Sequence, residues 1–309
     1  MGKNENEIIR KKKKKKTGDI IFDTILAIIL GIIGISMLYP FIYVLAVSFN
    51  HPADTELGGI WLYPRVFSTE AYRLIFMEKD LFRATLLSVS RTVLGTFLTV
   101  LCSSMFAYLF TRSDFLLYKP LKAFFFFAMF FGGGGLIPTY MLYLNLNLYD
   151  TFWVYIIPHI INLWYVVLFR TYFKSVPADL LEAAKIDGAH DLKVFFKILM
   201  PVSKPIYATV ALYSAVMQWN SYRDTLYYTT DPKLRTLQYI CMQMIKKAEG
   251  EKMIDRATMF EIFHGEAVTA DPLSLRMAIT VVTVVPIICV YPFLQKYFVK
   301  GIMVGSMKG

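Results

Sequence analysis

Charge is scarce in this sequence: Asp, Glu, Lys and Arg make up 18% of its 309 residues, against 56% hydrophobic and 16% aromatic. A soluble domain of this length would carry more charge and fewer aromatics. Cysteine is nearly absent too. Cys102, Cys241 and Cys289 stand far apart, two of them inside apolar segments, which excludes a disulfide framework. His51, His159, His190 and His264 have no metal-ligand spacing, so metal chemistry is not expected. Neither Gly-Lys-Ser nor Gly-Lys-Thr occurs, so the chain has no phosphate-cradling loop. Paired carboxylates, a histidine cluster and an activated nucleophile are all missing, which argues against a membrane-embedded enzyme.

What the sequence does have is long uncharged runs, with a mean hydropathy of +0.48. A helix needs about 20 mainly apolar residues to cross the hydrocarbon of a bilayer. Six windows qualify: residues 20–49, 84–110, 121–143, 152–173, 204–228 and 274–296. The expected fold class is therefore an all-α membrane protein with six transmembrane helices. The third window carries Gly132 to Gly135 and then Pro138, which predicts a break or close packing there.

A formal net charge of +10 could point to nucleic acid, but its distribution does not. Arg10 and the unbroken run Lys11 to Lys16 precede the first apolar window, as a solvated tail or as an anchor at the anionic cytoplasmic leaflet. The first window is too long for a cleaved signal peptide, and Tyr39-Pro40 is not a small-residue cleavage site. With the N-terminus inside, the tail and residues 111–122, 170–204 and 296–309 are cytoplasmic and hold 20 of the 33 Lys and Arg. The opposite connections, 50–80, 144–151 and 229–273, hold 9. That bias predicts both termini in the cytoplasm.

The implied organisation is a basic cytoplasmic tail (1–19), a first span with its external loop (20–83), a five-helix core (84–296) and a cytoplasmic C-terminal tail (297–309). The core includes a cytoplasmic loop at 174–203 and an external loop at 229–273. The external loop mixes charges of both signs and reads as a small helical layer, either a docking surface for a soluble partner or a spacer.

The cytoplasmic loop is the most informative segment. Pro177 suits the first turn of a helix, Asp179 and Glu182 place negative charge near its start, and Gly188 suits its left-handed end. Asp191 is placed to cap a second helix, in which Leu192, Phe195, Phe196 and Leu199 repeat at helical spacing as an apolar face. Two short helices hinged at Gly188 are predicted, with Ala183 and Ala184 as a small-residue patch beside one acid. An amphipathic helix lying on the membrane is the plainer alternative.

The spacing of Glu182, Ala183, Ala184, Gly188, Ile198 and Pro201 resembles the EAA loop of bacterial binding-protein-dependent ABC importers, with Met200 where that family has Leu. Residues 84–309 look like the second, smaller permease of carbohydrate-type importers. The ending that contains Lys300, Gly301, Gly305 and Lys308 is similar to the tail of that subunit, and Gly134 to Tyr140 is similar to a branch that takes up oligomeric saccharides.

The resemblance implies a type I ABC importer permease fold in the bacterial cytoplasmic membrane. Glu182, Ala183, Ala184, Asp187, Gly188 and Pro201 would couple to a cytoplasmic ATPase, and the tail would reach towards the interface between two ATPase copies. The implied partners are a second homologous permease, forming a heterodimer, two ATP-binding-cassette ATPases, an extracytoplasmic sugar-binding protein and the lipid bilayer. No nucleic acid is implied. ATP and Mg would sit on the ATPases, with no cofactor on this chain.

For a sugar path the candidates are Asn162, Trp164 and Tyr165 in the fourth span and Gln218, Trp219 and Asn220 in the fifth. Aromatic faces and amides suit sugar rings and hydroxyls, while interfacial aromatics and helix–helix hydrogen bonds are the plainer reading. Arg91, inside the second span, reads either as a functional charge or as a side chain snorkelling to the outer interface. Rival readings are an amino-acid or peptide permease and an ion-coupled secondary transporter. The second would place acids at the centre of its spans, and none is found there.

Overall fold

The computed structural model describes residues 17–112, 117–131, 134–251 and 271–306. The Lys11–Lys16 run, Lys308 and residues 252–270 of the expected external layer lie outside them. Among the described residues the chain is helical, and its one β contact is an isolated bridge between Asn50 and Phe67. The N-terminal part contains α1 (Thr17–Ser48), α2 (Pro52–Thr55), α3 (Glu70–Met77) and α4 (Leu81–Leu109). Next come α5 (Tyr118–Phe130), α6 (Leu136–Asn145), two single 3-10 turns (Phe152–Tyr155 and Ile157–His159) and α7 (Leu163–Phe173). The expected cytoplasmic loop holds α8 (Ala178–Ile186), α9 (Asp191–Val194), a π-helical turn (Phe195–Leu199) and α10 (Met200–Val202). The chain closes with α11 (Lys204–Asn220), α12 (Arg223–Tyr228), α13 (Leu237–Glu251) and α14 (Pro272–Ser306).

Six uninterrupted spans are not what forms. Three helices are long and apolar enough to cross a bilayer singly: α1, α4 and the first part of α14. Two more candidates are bent pairs, at 45° between Phe152–His159 and α7 and at 85° between Asp191–Val202 and α11. The third expected span is interrupted at its glycine run, as predicted: α5 stops at Phe130, α6 starts at Leu136, and Gly135 takes φ 92°. Each interruption has a local cause. Gly135 occupies a backbone region closed to most L-residues, and Asn162 caps α7 and so starts a new helix. The 85° bend falls at Ser203, which leaves helical geometry just ahead of Pro205 in the first turn of α11, and the fifth window breaks again where Ser221 turns extended after α11.

The helix α4 explains how a bilayer-embedded chain tolerates these breaks. Its buried stripe is Ala84, Ser88, Arg91, Gly95, Thr99, Ser103 and Ala107, spaced three or four apart along one face. Its other face, with Phe82, Leu86, Val89, Val93 and Phe97, is exposed and apolar beyond Arg83 in the first turn. The helix thus turns small and polar residues towards its neighbours and hydrocarbon outward, the inverse of a helix in water. The stripe serves the broken segments directly. Thr99 Oγ1 donates to the His159 carbonyl at 2.9 Å, and Ser103 Oγ accepts from the Asn162 amide at 3.1 Å. Ser88 Oγ accepts from the Leu237 amide at 2.9 Å.

Arg91 does not snorkel. It is 1% exposed and lies in the packed interface of α4 with α11. Its Nε donates to Gln218 Oε1 at 3.0 Å, Nη1 to the Ser221 carbonyl at 3.2 Å and Nη2 to Asp224 Oδ2 at 2.5 Å. Its guanidinium also lies 4.6 Å from the ring centre of Tyr155. The break between α11 and α12 thereby has its carbonyl satisfied and its acid neutralised. Gly95 makes room for Gln218: a Cβ there would sit 2.8 Å from Gln218 Nε2.

Apolar packing divides between the two ends of the bundle. One cluster joins the end of α4 to α5, α7 and the turn after α9 through Tyr108, Phe125, Phe169, Phe173, Phe195 and Leu199. The other joins α3, α13 and α14 through Ile75, Leu237, Cys241, Leu275 and Ile279, with Trp219 of α11. In contrast, the apolar side chains of α1 from Ile20 to Leu38 are largely exposed, which water would penalise and lipid favours.

At the second end, Asp150 clasps the turn after α6 to the chain after α12. Its carboxylate accepts from the Thr230 and Asp231 amides, both at 2.8 Å, and from Thr230 Oγ1 at 2.9 Å. The Asp231 and Thr230 amides hold this carboxyl below the usual Asp range.

Two outcomes are expected. Arg91→Met leaves the buried Gln218 and the largely buried Asp224 carboxylate without the guanidinium and should lower stability by about 3–5 kcal/mol, read by thermal unfolding in lipid nanodiscs. The double change with Asp224→Asn should recover part of that loss. Because the Asp150 carboxyl is depressed in the folded chain, its contribution is complete above its unfolded pKa of about 3.9 and lost as pH falls through the lower folded value. Hydrogen-exchange protection at Thr230 and Asp231, corrected for intrinsic rates, should persist at neutral pH and fall in that acid window. Asp150→Ala should remove it at every pH.

Candidate functional site

The loop between α7 and α11 forms the two hinged helices that the sequence predicts. Pro177 sits at the N-cap of α8 rather than inside its first turn, and Asp179 follows in that turn. At the other end Gly188 takes φ 75°. Its N–H bonds to the Lys185 carbonyl at 2.9 Å, and the Ala189 N–H bonds to the Ala184 carbonyl at 3.0 Å. These two bonds constitute a Schellman cap, with Gly188 as its left-handed residue. A Cβ on Gly188 would meet nothing within 4 Å, so the need for glycine is conformational and not spatial.

The surface of α8 differs from the expected patch. Ala184 is only 8% exposed, and Leu181 packs against the core beneath the loop. Asp179, Glu182, Ala183 and Ile186 are exposed and follow the i, i+3, i+4, i+7 spacing of one outward face. Ala183 is thus presented and Ala184 is not. Ile186, which the sequence reading passed over, is 86% exposed and is the largest apolar group on that face. Asp187 is the C-cap and is exposed.

The second helix also corrects two expectations. Asp191 does not cap it. Its Oδ1 accepts from Arg112 Nη1 at 2.6 Å and from the Tyr108 hydroxyl at 3.3 Å, fastening the loop to the end of α4. The apolar face is Val194, Phe195 and Leu199, while Leu192 and Phe196 stay exposed. The cause is Pro201. Its ring lacks an N–H and would clash with the carbonyl four residues back. The helix widens there into a π turn, in which the Met200 N–H bonds to the Phe195 carbonyl. Pro201 itself is exposed in the short α10. At the C-terminus, Lys300, Gly301 and Gly305 belong to α14, which runs on to Ser306 without a boundary at 297.

The six sugar-path candidates do not come together. The Asn162 amide oxygen accepts from the Trp164 and Tyr165 amides, at 3.0 and 3.2 Å, as the N-cap of α7. Tyr165 is buried, and Trp164 is exposed. Gln218 is held by Arg91, and Trp219 Nε1 donates to the Thr283 carbonyl at 3.0 Å. Asn220 is exposed and accepts from Gln238 at 3.4 Å. Most of these groups are thus used within the chain. A cavity of about 340 Å³ lies elsewhere, between the start of α6 and α12, and none of the six borders it. Its walls include Thr139, Arg223, Asp224, Tyr227 and Tyr228. The only sequence signal for it is a cluster of charge and tyrosine at the end of an apolar run.

Comparison with known proteins places this geometry. Residues 92–304 match the family described as binding-protein-dependent transport system inner membrane component. The chain is 35% identical over 289 residues to the polygalacturonan/rhamnogalacturonan transport system permease protein YtcP of Bacillus subtilis, covering 94% of this chain and 99% of that one. It is 32% identical over 299 residues to the protein LplC of the same organism, covering 94% and 95%. A crystal structure of a bacterial ABC transporter involved in the import of the acidic polysaccharide alginate contains a chain with 27% identity and a TM-score of 0.78, over 92% of this chain and 99% of that one. With more than half of its length inside the family match and near end-to-end similarity to such relatives, the chain belongs to the inner membrane components of binding-protein-dependent transport systems.

Proposed function

We propose that this chain is the smaller permease of an ATP-driven importer for oligo- or polysaccharides, moved between inward- and outward-open states through the loop at 174–203. Its family membership makes it a multi-pass component of the bacterial cytoplasmic membrane that performs no chemistry itself. The same membership implies ATPase and binding-protein partners. The saccharide class is supported by relatives named for polygalacturonan, rhamnogalacturonan and alginate.

The observation that carries the coupling assignment is the exposed face of α8, closed by a glycine cap and bolted to α4 through Asp191 and Arg112. In this reading Glu182 meets a basic residue of the ATPase, Ala183 permits close approach, and Ile186 supplies buried apolar area on docking. Gly188 sets the angle between α8 and the helix that leads into α11. Six crossings put both termini and the loop in the cytoplasm, counting the interrupted third segment, the 45° pair and α11 with α12 as one span each. A second, different permease completes the bundle, and α14 carries Lys300, Gly301 and Gly305 towards the ATPases.

Magnitudes restrict how such a loop works. Inverting a two-state population from 1:99 to 99:1 takes about 5.5 kcal/mol of differential binding. One solvated ion pair at Glu182 supplies about 0–1 kcal/mol. The docked face must therefore move as a unit, and Glu182 sets register more than it drives the stroke.

Two measurements test this. Affinity purification of the tagged chain from its native membrane should bring down a second permease and two ATPase copies; recovery as a stable lone channel would remove the proposal. Glu182→Lys and Gly188→Val should each abolish ATP-dependent saccharide uptake while membrane insertion and expression stay normal. Unimpaired uptake in both would sink the coupling assignment but leave the family membership untouched.

A further inference from the structure

The cavity between α6 and α12 lies beside the Asp150 clasp, at the end of the bundle opposite the coupling loop. Its volume of about 340 Å³ is at the small end of the range of ligand pockets, about 300–1,000 Å³, and suits a short stretch of extended chain. Its chemistry is uneven. Asp224 contributes a carboxylate, but Arg91 Nη2 and Ser221 Oγ, at 2.5 and 2.9 Å, both bond to its Oδ2, and His159 Nε2 lies 3.8 Å away. That charge is compensated from inside the protein. Arg223, the next residue, lines the same cavity, is exposed, and makes no hydrogen bond or ion pair with another described residue. Among the described residues, the cavity therefore carries one positive charge without a carboxylate paired to it.

The remaining walls complete a pattern. The Tyr227 ring is 42% exposed. Tyr228 is held edge-on against Tyr143 with ring centres 4.7 Å apart, which keeps that wall rigid. Thr139 lies on the α6 side. A rigid aromatic wall, an exposed guanidinium and scattered hydroxyls match a ring with one apolar face, a carboxylate and hydroxyl edges. Arg presents a planar fork that pairs with a carboxylate through two N–H bonds, which a neutral hydroxyl cannot reproduce.

We infer that this cavity is a subsite for a carboxylated sugar unit, with Arg223 pairing to the uronate carboxylate and Tyr227 stacking on the ring. The inference rests on the importer reading and narrows its substrate to acidic saccharides.

The test uses the complete transporter in proteoliposomes, with its liganded binding protein in saturating excess. The probes are trigalacturonate and its fully methyl-esterified, uncharged counterpart. Arg223→Gln should slow trigalacturonate uptake at least tenfold and change uptake of the ester less than twofold, and Arg223→Lys should restore part of the loss. Tyr227→Ala should slow both probes to a similar extent, because stacking does not depend on charge. An equal effect of Arg223→Gln on both probes, or none on either, overturns the inference. Wild-type uptake of the ester but not of the acid also overturns it, and leaves the importer reading standing. Absence of ATP-dependent uptake of any saccharide overturns both together.

Discussion

Backbone polar groups inside a bilayer have no water to turn to, and this constraint organises the molecule. Of the six apolar segments, the third, fourth and fifth are broken or bent, and each break frees N–H and C=O groups that an unbroken helix would satisfy. The second segment, α4, supplies replacements. Thr99 reaches the His159 carbonyl, Ser103 the Asn162 amide, and Arg91 the Ser221 carbonyl. Gly95, in the same stripe, lets α11 approach closely enough for Gln218 to join Arg91. Remove that stripe and these groups in the fourth and fifth segments lose their partners. The apolar packing at either end of the bundle depends on segments that the stripe holds in place.

A charge in such a place needs a specific explanation. Isolated burial of a guanidinium costs several kcal/mol, and one carboxylate recovers that only with good geometry and its remaining donors filled. Arg91 meets both conditions, with contacts to Gln218, Ser221 and Asp224 and the face of Tyr155 beside it. The arrangement is better understood as specifying one geometry for the break after α11 than as a large source of stability. Apolar residues in place of the whole node, Arg91 with Gln218 and Asp224, could pack as well, but would leave the chain free to continue or bend elsewhere.

These features differ in how far a sequence can announce them. The six apolar windows, the break at the glycine run and the left-handed Gly188 are local, and composition and spacing expose them. The partners of Arg91 are not local: Gln218 and Asp224 lie more than a hundred residues away, so α4 alone shows a stray charge with an undecided fate. The face of α9 was misjudged for a different reason. Leu192, Phe195, Phe196 and Leu199 fit a regular period, but Pro201 inserts a π turn and rotates the register, burying Val194 in place of Leu192. Ala184 was misjudged because two adjacent small residues look alike in sequence, while a helix sends neighbours about 100° apart. Chemistry alone does not say what a side chain is used for. Asn162, Gln218 and Trp219 have the right chemistry, but the fold uses it for caps and interhelical bonds.

One mechanical consequence joins the two ends. From Gly188 the chain runs through α9, the π turn and α10, bends at the buried Ser203, and continues as α11 for 17 residues, roughly 25 Å. That helix ends at the Arg91 node, and the next helix, the six-residue α12, carries Arg223 and Tyr227 along the cavity. A stiff rod with a bend at one end and a bolted break at the other cannot absorb displacement along its length. Movement imposed on the proposed coupling loop has to emerge either as rotation at Ser203 or as a shift of α12 against α6. The second outcome would open or close the cavity whose walls those two helices form. The Arg91 node weighs on that choice: while it holds α11 to α4, and the Tyr143–Tyr228 contact and the Asp150 clasp hold α12 to α6, the far end of the rod is fastened on both sides, and rotation at Ser203 is the less hindered outlet.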